Sequence, residues 1–213
     1  GSGKYAGRLL ETLKKHRAKA TFFLEGQYVK ARPAFVKRMA AEGHELGNHS
    51  YTHPDFTALD EQRIHDEIQR TQDLVEKLTG KAPGLLRPPY GLTDIQVEAV
   101  ATELGLPIVL WNAGSRDWAT RDKKAIHAEV LRNAQRDAVV LMHDWVKGTV
   151  DAMPGLLTAL KKQGYHMVTV STLLRGRKLR PGEIYPPDAS TLQRDSAQTA
   201  ELREFRDFAE GAR

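Results

Sequence analysis

KATFFL, residues 19–24, is a short aromatic run of the kind that forms a buried strand. On its N-terminal side, GRLLETLKKH (7–16) sets Leu9, Leu10 and Leu13 on one helical face. On its C-terminal side, PAFVKRMAAEG (33–43) opens with Pro33, suited to a first helical position, and closes with Gly43, suited to a C-terminal cap. HELGNH then leads into a histidine turn. Residues 60–79 carry Ile64, Ile68, Leu74, Val75 and Leu78, a helical pattern stopped by Gly80. GLLRPPYG (84–91) reads as a strand entering a Pro–Gly turn, with a helix over 93–104. LPIVLWN (106–112) reads as a buried strand, 122–136 as a helix, and AVVLMHD (138–144) as another strand. VDAMPGLLTALKKQG (150–164) is a helix ended by Gly164, and HMVTV (166–170) a final strand. Strands alternating with helices argue for an α/β fold with a parallel sheet or barrel. The chain opens on a helix, so the array starts mid-unit, and a barrel without its first strand has open edges.

The 213 residues suit one domain with a sizeable core. Hydrophobic residues make up 40% and charged residues 28%, the balance of a soluble globular protein. No apolar run approaches the roughly 20 residues of a membrane helix. The N-terminus GSGKYAGRLL lacks the apolar region of a signal peptide and reads as an internal start. Cysteine is absent, which excludes disulfides and thiolate chemistry. The net charge of +5 favours anionic partners such as wall polymers, nucleic acid or membranes, or serves solubility alone. No basic helix interleaved with aromatics supports a nucleic-acid partner. From about Arg175 the character changes: RGRKLRPGEIYPPD (175–188) is basic and proline-rich, and SAQTAELREFRDFAEG (196–211) suggests a short terminal helix. The expected division is a catalytic domain over 1–175 and a tail over 176–213.

The residues with chemical potential gather at the C-terminal ends of the expected strands. His49 and His53 follow one, Arg87, Pro89, Tyr90 and Gly91 another, Asp117 and Trp118 a third, and His143 and Asp144 a fourth. In a parallel barrel those ends share one rim, where active sites sit. His49 and His53, four apart, can aim both imidazoles at one ion if they lie on a helical turn. Neutral imidazole suits zinc, cobalt or nickel, but a catalytic zinc usually takes three protein ligands. Asp55 is the nearest local carboxylate. The other reading is a pair of surface or capping histidines. His143 ends an apolar strand and can serve as a general acid or base, or as a hydrogen-bonded core histidine. Arg87 ends an apolar strand and would be costly to bury unpaired, so it implies a carboxylate partner at the rim. The turn after it can point a backbone N–H at an oxyanion. Trp118 and Trp145 are either sugar-stacking platforms or plugs in the barrel mouth.

Together ATFFLEG, GHELGNHSYTHP, RPPYG, SRDW and VVLMHD, in that order over roughly residues 4–174, resemble the polysaccharide deacetylases of carbohydrate esterase family 4, the chitin deacetylase-like enzymes. The resemblance implies a distorted (β/α) barrel of seven or eight units. It implies metal-dependent removal of acetyl groups from N-acetylglucosamine polymers such as chitin oligomers or peptidoglycan, or from acetylxylan. It implies a divalent metal, zinc before cobalt or nickel, held by His49, His53 and an aspartate. A second aspartate would activate water and Arg87 would orient it. The N–H of Tyr90 would bind the oxyanion, His143 would protonate the leaving group, and Leu141 and Trp118 would wall the acetyl pocket. It further implies a monomer, secreted or wall-associated, with an acetylated glycan as partner.

Two departures qualify the match. The family's two aspartates lie in a Thr-Phe-Asp-Asp-Gly-Pro motif on the first strand, and this chain starts after that point, so the chain as given is expected to be weakly active or inactive while a parent carrying the motif deacetylates. The family's D-x-x-D-W reads GSRDW here, with Gly114 where the aspartate tuning the acid histidine is expected; Asp117 or Asp144 would have to substitute. The alternative function is a catalytically impaired carbohydrate-binding relative.

Overall fold

The computed structural model describes residues 3–189. Helix α1 (Ala6–Lys15) precedes β1 (Thr21–Leu24), and α2 (Gly26–Ala31) and α3 (Pro33–Ala41) lead to β2 (Glu45–Asn48). Helix α4 (Glu61–Thr79) and α5 (Ile95–Glu103) flank the RPPYG turn, followed by β3 (Ile108–Val109), β4 (Ala113–Gly114), α6 (Asp117–Thr120) and α7 (Lys123–Asn133). Then come β5 (Val140–Leu141), α8 (Lys147–Lys162), α9 (Val170–Leu173) and β6 (Ile184–Tyr185).

Every pairing is parallel. β1 pairs with β2 from Thr21–Glu45 to Leu24–Asn48. Asn48 bridges to Leu86, and Leu86 to Ile108. β3 pairs with β6, and β4 with β5. All strands therefore deliver their C-terminal ends to one rim, as the sequence predicts. Among the described residues no ladder joins β5 back to β1.

The strands are buried on both faces, as parallel strands are. Phe22 and Leu24 point outward into a layer shared with Leu9, Leu10 and Leu13 of α1 and Leu156, Leu157 and Leu160 of α8. Phe23, on the opposite face, packs inside the barrel with Leu85, Val109, Val139 and Tyr185. This alternation is the two-residue period of a strand. Helix boundaries follow capping chemistry. Asp60, Asp94 and Asp122 each accept backbone N–H groups at the starts of α4, α5 and α7. Gly80 ends α4 in the left-handed region.

Three expectations are corrected. HMVTV is not a paired strand: Lys19 N–H donates to Met167 O, and then the Thr169 hydroxyl accepts from Thr172 N–H and starts α9. The predicted strands at 106–112 and 138–144 shrink to two paired residues each. At 106–112 the reason is that the carbonyls of Val109 and Leu110 accept from the guanidinium of Arg87 instead of extending a ladder. The strap beyond Arg175, placed outside the catalytic domain, supplies β6: Ile108 N–H donates to Glu183 O and Leu110 N–H to Tyr185 O. The packed body thus runs past the expected boundary at 175, while the expected terminal helix lies outside the described residues.

Candidate active site

His49 leaves the end of β2 with its backbone N–H on Leu24 O. The turn that brings His53 beside it is not helical. Ser50 and His53 both adopt positive φ, 65° and 64°. Non-glycine residues enter that region only when the surroundings impose it. Here Asn48 Oδ1 accepts from Ser50 N–H at 2.9 Å, and Ser50 Oγ accepts from His53 N–H at 2.9 Å. Glu67, on α4, accepts from Tyr51 N–H at 2.9 Å, Thr52 N–H at 2.7 Å and the Thr52 hydroxyl at 2.8 Å. Thr71, one turn on, donates to Ser50 O at 2.8 Å. Sequence reasoning missed Asn48, Glu67 and Thr71. The signal was there: Glu67 and Thr71, four apart, put polar groups on a helical stripe near Ile64 and Ile68.

The two imidazoles meet edge to face, with centroids 4.7 Å apart and Nε2 atoms 3.2 Å apart. His49 Nδ1 lies 2.6 Å from Arg87 O. A carbonyl only accepts, so Nδ1 carries the hydrogen and Nε2 presents its lone pair, the arrangement usual for a metal-ligating histidine. Burial, with His53 next in effect, pushes the His49 ring well below its ordinary pKa and keeps it neutral. Two nitrogens each 2.0–2.1 Å from one tetrahedral zinc stand about 3.3 Å apart. The pair fits such an ion. No group of three His, Cys, Asp or Glu able to hold a metal exists among the described residues. Asp55 is engaged as a cap, accepting from Thr57 N–H and the Thr57 hydroxyl.

Arg87 is buried, but the carboxylate expected beside it is not among the described residues. Its Nε donates to Val109 O at 2.9 Å and its Nη2 to Leu110 O at 3.0 Å. The guanidinium lies 4.1 Å from the Phe23 ring centroid. Burial pushes it down to about 9. Backbone carbonyls take two of its donors without neutralising its charge.

Tyr90 sits at φ 60° in the turn after Arg87, buried, with its ring 4.6 Å from that of His53. Its hydroxyl donates to His53 O at 3.4 Å. Tyr90 packs against Trp118, which is 9% exposed. Trp118 is thus the buried ring of the pair, and Trp145, at 37%, the exposed one. Tyr90 and Trp118 link the histidine pair to α6, whose first residue, Asp117, holds His143.

Asp117 resolves the question raised by Gly114. Its Oδ1 accepts from His143 Nδ1 at 2.8 Å, and its Oδ2 from His143 N–H at 2.7 Å and the Thr149 hydroxyl at 2.6 Å. Trp118 N–H adds a fourth bond at 2.9 Å. Burial alone would raise this carboxyl, but His143, Thr149 and the backbone N–H outweigh it and hold it below the usual range. Asp144 instead accepts from Gly3 N–H at 2.9 Å. Leu141 lies on β5 opposite Gly114, two residues before His143.

Paired histidines at one point of a barrel rim and an Asp–His couple at another define the site. The profile described as polysaccharide deacetylase matches residues 1–109, and the chain belongs to that family. It is 43% identical over 177 residues to the peptidoglycan-N-acetylglucosamine deacetylase PgdA of Listeria monocytogenes, covering 83% of this chain and 37% of that one. It is 36% identical over 180 residues to the peptidoglycan-N-acetylmuramic acid deacetylase PdaA of Bacillus subtilis, covering 83% of this chain and 68% of that one. A solved deacetylase with substrate superposes with a TM-score of 0.83 at 36% identity, covering 87% of this chain and 92% of that one. A family 4 pseudoenzyme from Bacillus anthracis superposes with a TM-score of 0.77 at 33% identity, covering 85% of this chain and 65% of that one. The fold is accordingly the (β/α) barrel of the family 4 esterases. No helix of the described residues is long and apolar enough to cross a membrane.

Proposed function

We propose that this domain belongs to a metal-dependent hydrolase that removes N-acetyl groups from peptidoglycan glycan strands, at or outside the cell surface. The observation that carries the reading is the His143–Asp117 couple, on the same rim as the paired Nε2 atoms of His49 and His53. The names of the two relatives favour peptidoglycan over chitin or acetylxylan. His49 and His53 would hold the divalent ion, zinc before cobalt or nickel, with a third ligand from outside the described residues. When bound, such an ion supplies Lewis acidity toward water and an acyl oxygen.

The chain's own residues divide the remaining work. Hydrolysis breaks the acyl C–N bond, adds OH to the acyl carbon and returns a proton to the amine nitrogen. His143, its Nδ1 hydrogen committed to Asp117, delivers that proton from Nε2. Asp117 fixes the tautomer and stabilises the imidazolium. The backbone N–H of Tyr90 stabilises the oxyanion. The buried guanidinium of Arg87, with no carboxylate beside it among the described residues, fits the role of orienting a carboxylate base. Leu141 and Trp118 wall the acetyl group.

Acetate release tests this, measured on peptidoglycan strands, chitooligosaccharides and acetylxylan, with and without chelator. The chain itself and a form extended by a Thr-Phe-Asp-Asp-Gly-Pro strand are compared. The expected result is chelator-sensitive release by the extended form, greatest on peptidoglycan. Absence of release by both forms would favour the second reading, a carbohydrate-binding relative. That reading is supported by the lack of a third metal ligand and of a carboxylate on Arg87 among the described residues, and by the family's pseudoenzyme member.

A further inference from the structure

Residues 12–24 and 152–182 contain no Asp or Glu, and the fold brings the two stretches together. Helices α1 and α8 lie side by side in the same direction: Arg8 pairs with Asp151 near their starts, and Lys161 Nζ donates to His16 O at their ends. Lys19 N–H then donates to Met167 O. Lys14, Lys15, Arg17, Lys19, Lys161 and Lys162 are all exposed at this end. It lies where β1 begins, whereas His49 bonds where β1 finishes, a strand length of roughly 13 Å away. The neighbouring carboxylates are committed elsewhere. Glu11 and Glu42 each accept from Arg38 at 2.6 Å, and Glu45 accepts from the Thr21 hydroxyl at 2.8 Å and from Ser171 N–H at 3.1 Å. Among the described residues no carboxylate pairs with any of the six cations. The dipoles of α1 and α8 favour the four lysines in their last turns. Arg17 and Lys19 lie beyond α1 and extend the cationic face further than the dipoles require.

We propose that this end of the barrel, opposite the site, docks a linear phosphodiester polyanion whose repeat carries no base, such as a poly(glycerol phosphate). Of the exposed large apolar side chains among the described residues, Tyr28, Ile95 and Trp145 follow strand ends on the site rim, and Val168 alone adjoins the cations. The face therefore offers charge without a stacking ring or an apolar wedge. Single-stranded nucleic acids gain from stacking on aromatic rings, and interfacial membrane binding from buried apolar side chains. A bare phosphodiester chain needs only spaced cations, and it releases counterions as each phosphate is paired. Such docking leaves the histidine rim open. It goes beyond the hydrolytic reading and is independent of it.

Calorimetric titration of the full chain with poly(glycerol phosphate) at several salt concentrations tests the face. Log affinity should fall against log salt with a slope of about −4, from roughly 0.7 for each cation engaged. Lys15→Gln, Arg17→Gln, Lys161→Gln and Lys162→Gln combined should weaken binding at least about tenfold and take about 3 off that slope. Thermal unfolding verifies that the fold is kept; if the combined variant does not fold, the two pairs made separately should each take about 1.4 off the slope. A charge-matched control, Lys77→Gln, Lys81→Gln, Lys123→Gln and Lys124→Gln combined, should leave the slope within about 1 of the original. Equal loss in the control would reduce the effect to net charge and overturn the face. Absence of binding by the unaltered chain, or undiminished binding by the face variants, would do the same. Tighter binding of an oligothymidylate of equal charge, or of phosphatidylglycerol vesicles, would overturn the partner in favour of nucleic acid or membrane. Acetate release plays no part in these readings, so their failure is separate from failure of the deacetylase reading.

Discussion

Replacing Asp117 with Asn tests the architecture of the acid side of the site, because the carboxylate accepts four hydrogen bonds and an amide cannot. Oδ1 serves His143 Nδ1–H and Trp118 N–H, and Oδ2 serves His143 N–H and the Thr149 hydroxyl. An amide nitrogen at the Oδ2 position opposes the backbone N–H of His143; at the Oδ1 position it opposes that of Trp118. Either way one buried backbone donor is orphaned, at roughly 1–3 kcal/mol, and the remaining bonds lose charge assistance. The total is about 3 kcal/mol, or a fall in Tm of roughly 6–12 °C for a chain of this size. The pH dependence has a definite sign. The folded pKa of Asp117 lies below its ordinary value of 3.8, so its stabilisation is present above that value and is lost as pH falls through the folded pKa. Urea unfolding at pH 7 should show the full gap between the two proteins, and the gap should close below about pH 4. Nitrogen NMR of His143 should show Nδ1 protonated in the neutral ring of the unaltered protein. A variant within 0.5 kcal/mol of the original at pH 7, where ordinary surface changes fall, would refute the reasoning, as would an unaltered protein whose neutral His143 ring is protonated at Nε2.

Zinc binding should depend on the loop anchor Glu67. Glu67→Ala should lower zinc affinity roughly 10–100-fold by calorimetry, as loss of a supporting group does, whereas Glu67→Gln, which keeps an acceptor for Tyr51 and Thr52 N–H, should lower it far less. His44 is buried and its Nδ1 accepts from Ala20 N–H at 3.2 Å. Burial, aided by Lys19 against an opposing Glu42, lowers its pKa from 6.5. Its NMR titration midpoint should therefore lie below that value in the folded protein and return to it in urea, with stability falling as pH drops through the window between the two. A folded midpoint at or above 6.5 would contradict the burial. Gly148→Ala should cost about 1–3 kcal/mol by overpacking, measured by denaturant midpoint, because its Cβ would meet the Arg121 carbonyl.

The helices were the legible part of this chain because their ends carry side-chain chemistry: Pro33, Asp60, Gly80 and Gly164 punctuate them as written in the sequence. The strands were legible as apolar runs but not in length, because the ladder is shared with site residues; Arg87 takes two of its carbonyls. β2 is Glu-Leu-Gly-Asn, with no β-branched residue to announce it. Its pairing comes from position between β1 and Leu86 rather than from propensity. β6 was hidden for a related reason: Ile184–Tyr185 lies among prolines and charges, and only burial against β3 makes it a strand. The candidate site residues could be named individually, but not the contact of His53 with Tyr90, nor which of Asp117 and Asp144 would bond His143, which depends on two loops meeting in space.

The pairing of β3 with β6 ties the middle of the chain to its late portion. On a ribosome, Ile108 and Val109 emerge well before Ile184 and Tyr185, so for several seconds of elongation the nascent sheet carries an unpaired hydrophobic margin. A premature stop or proteolytic cut between Arg175 and Glu183 would make that transient margin permanent. Such products should associate edge to edge rather than remain dispersed.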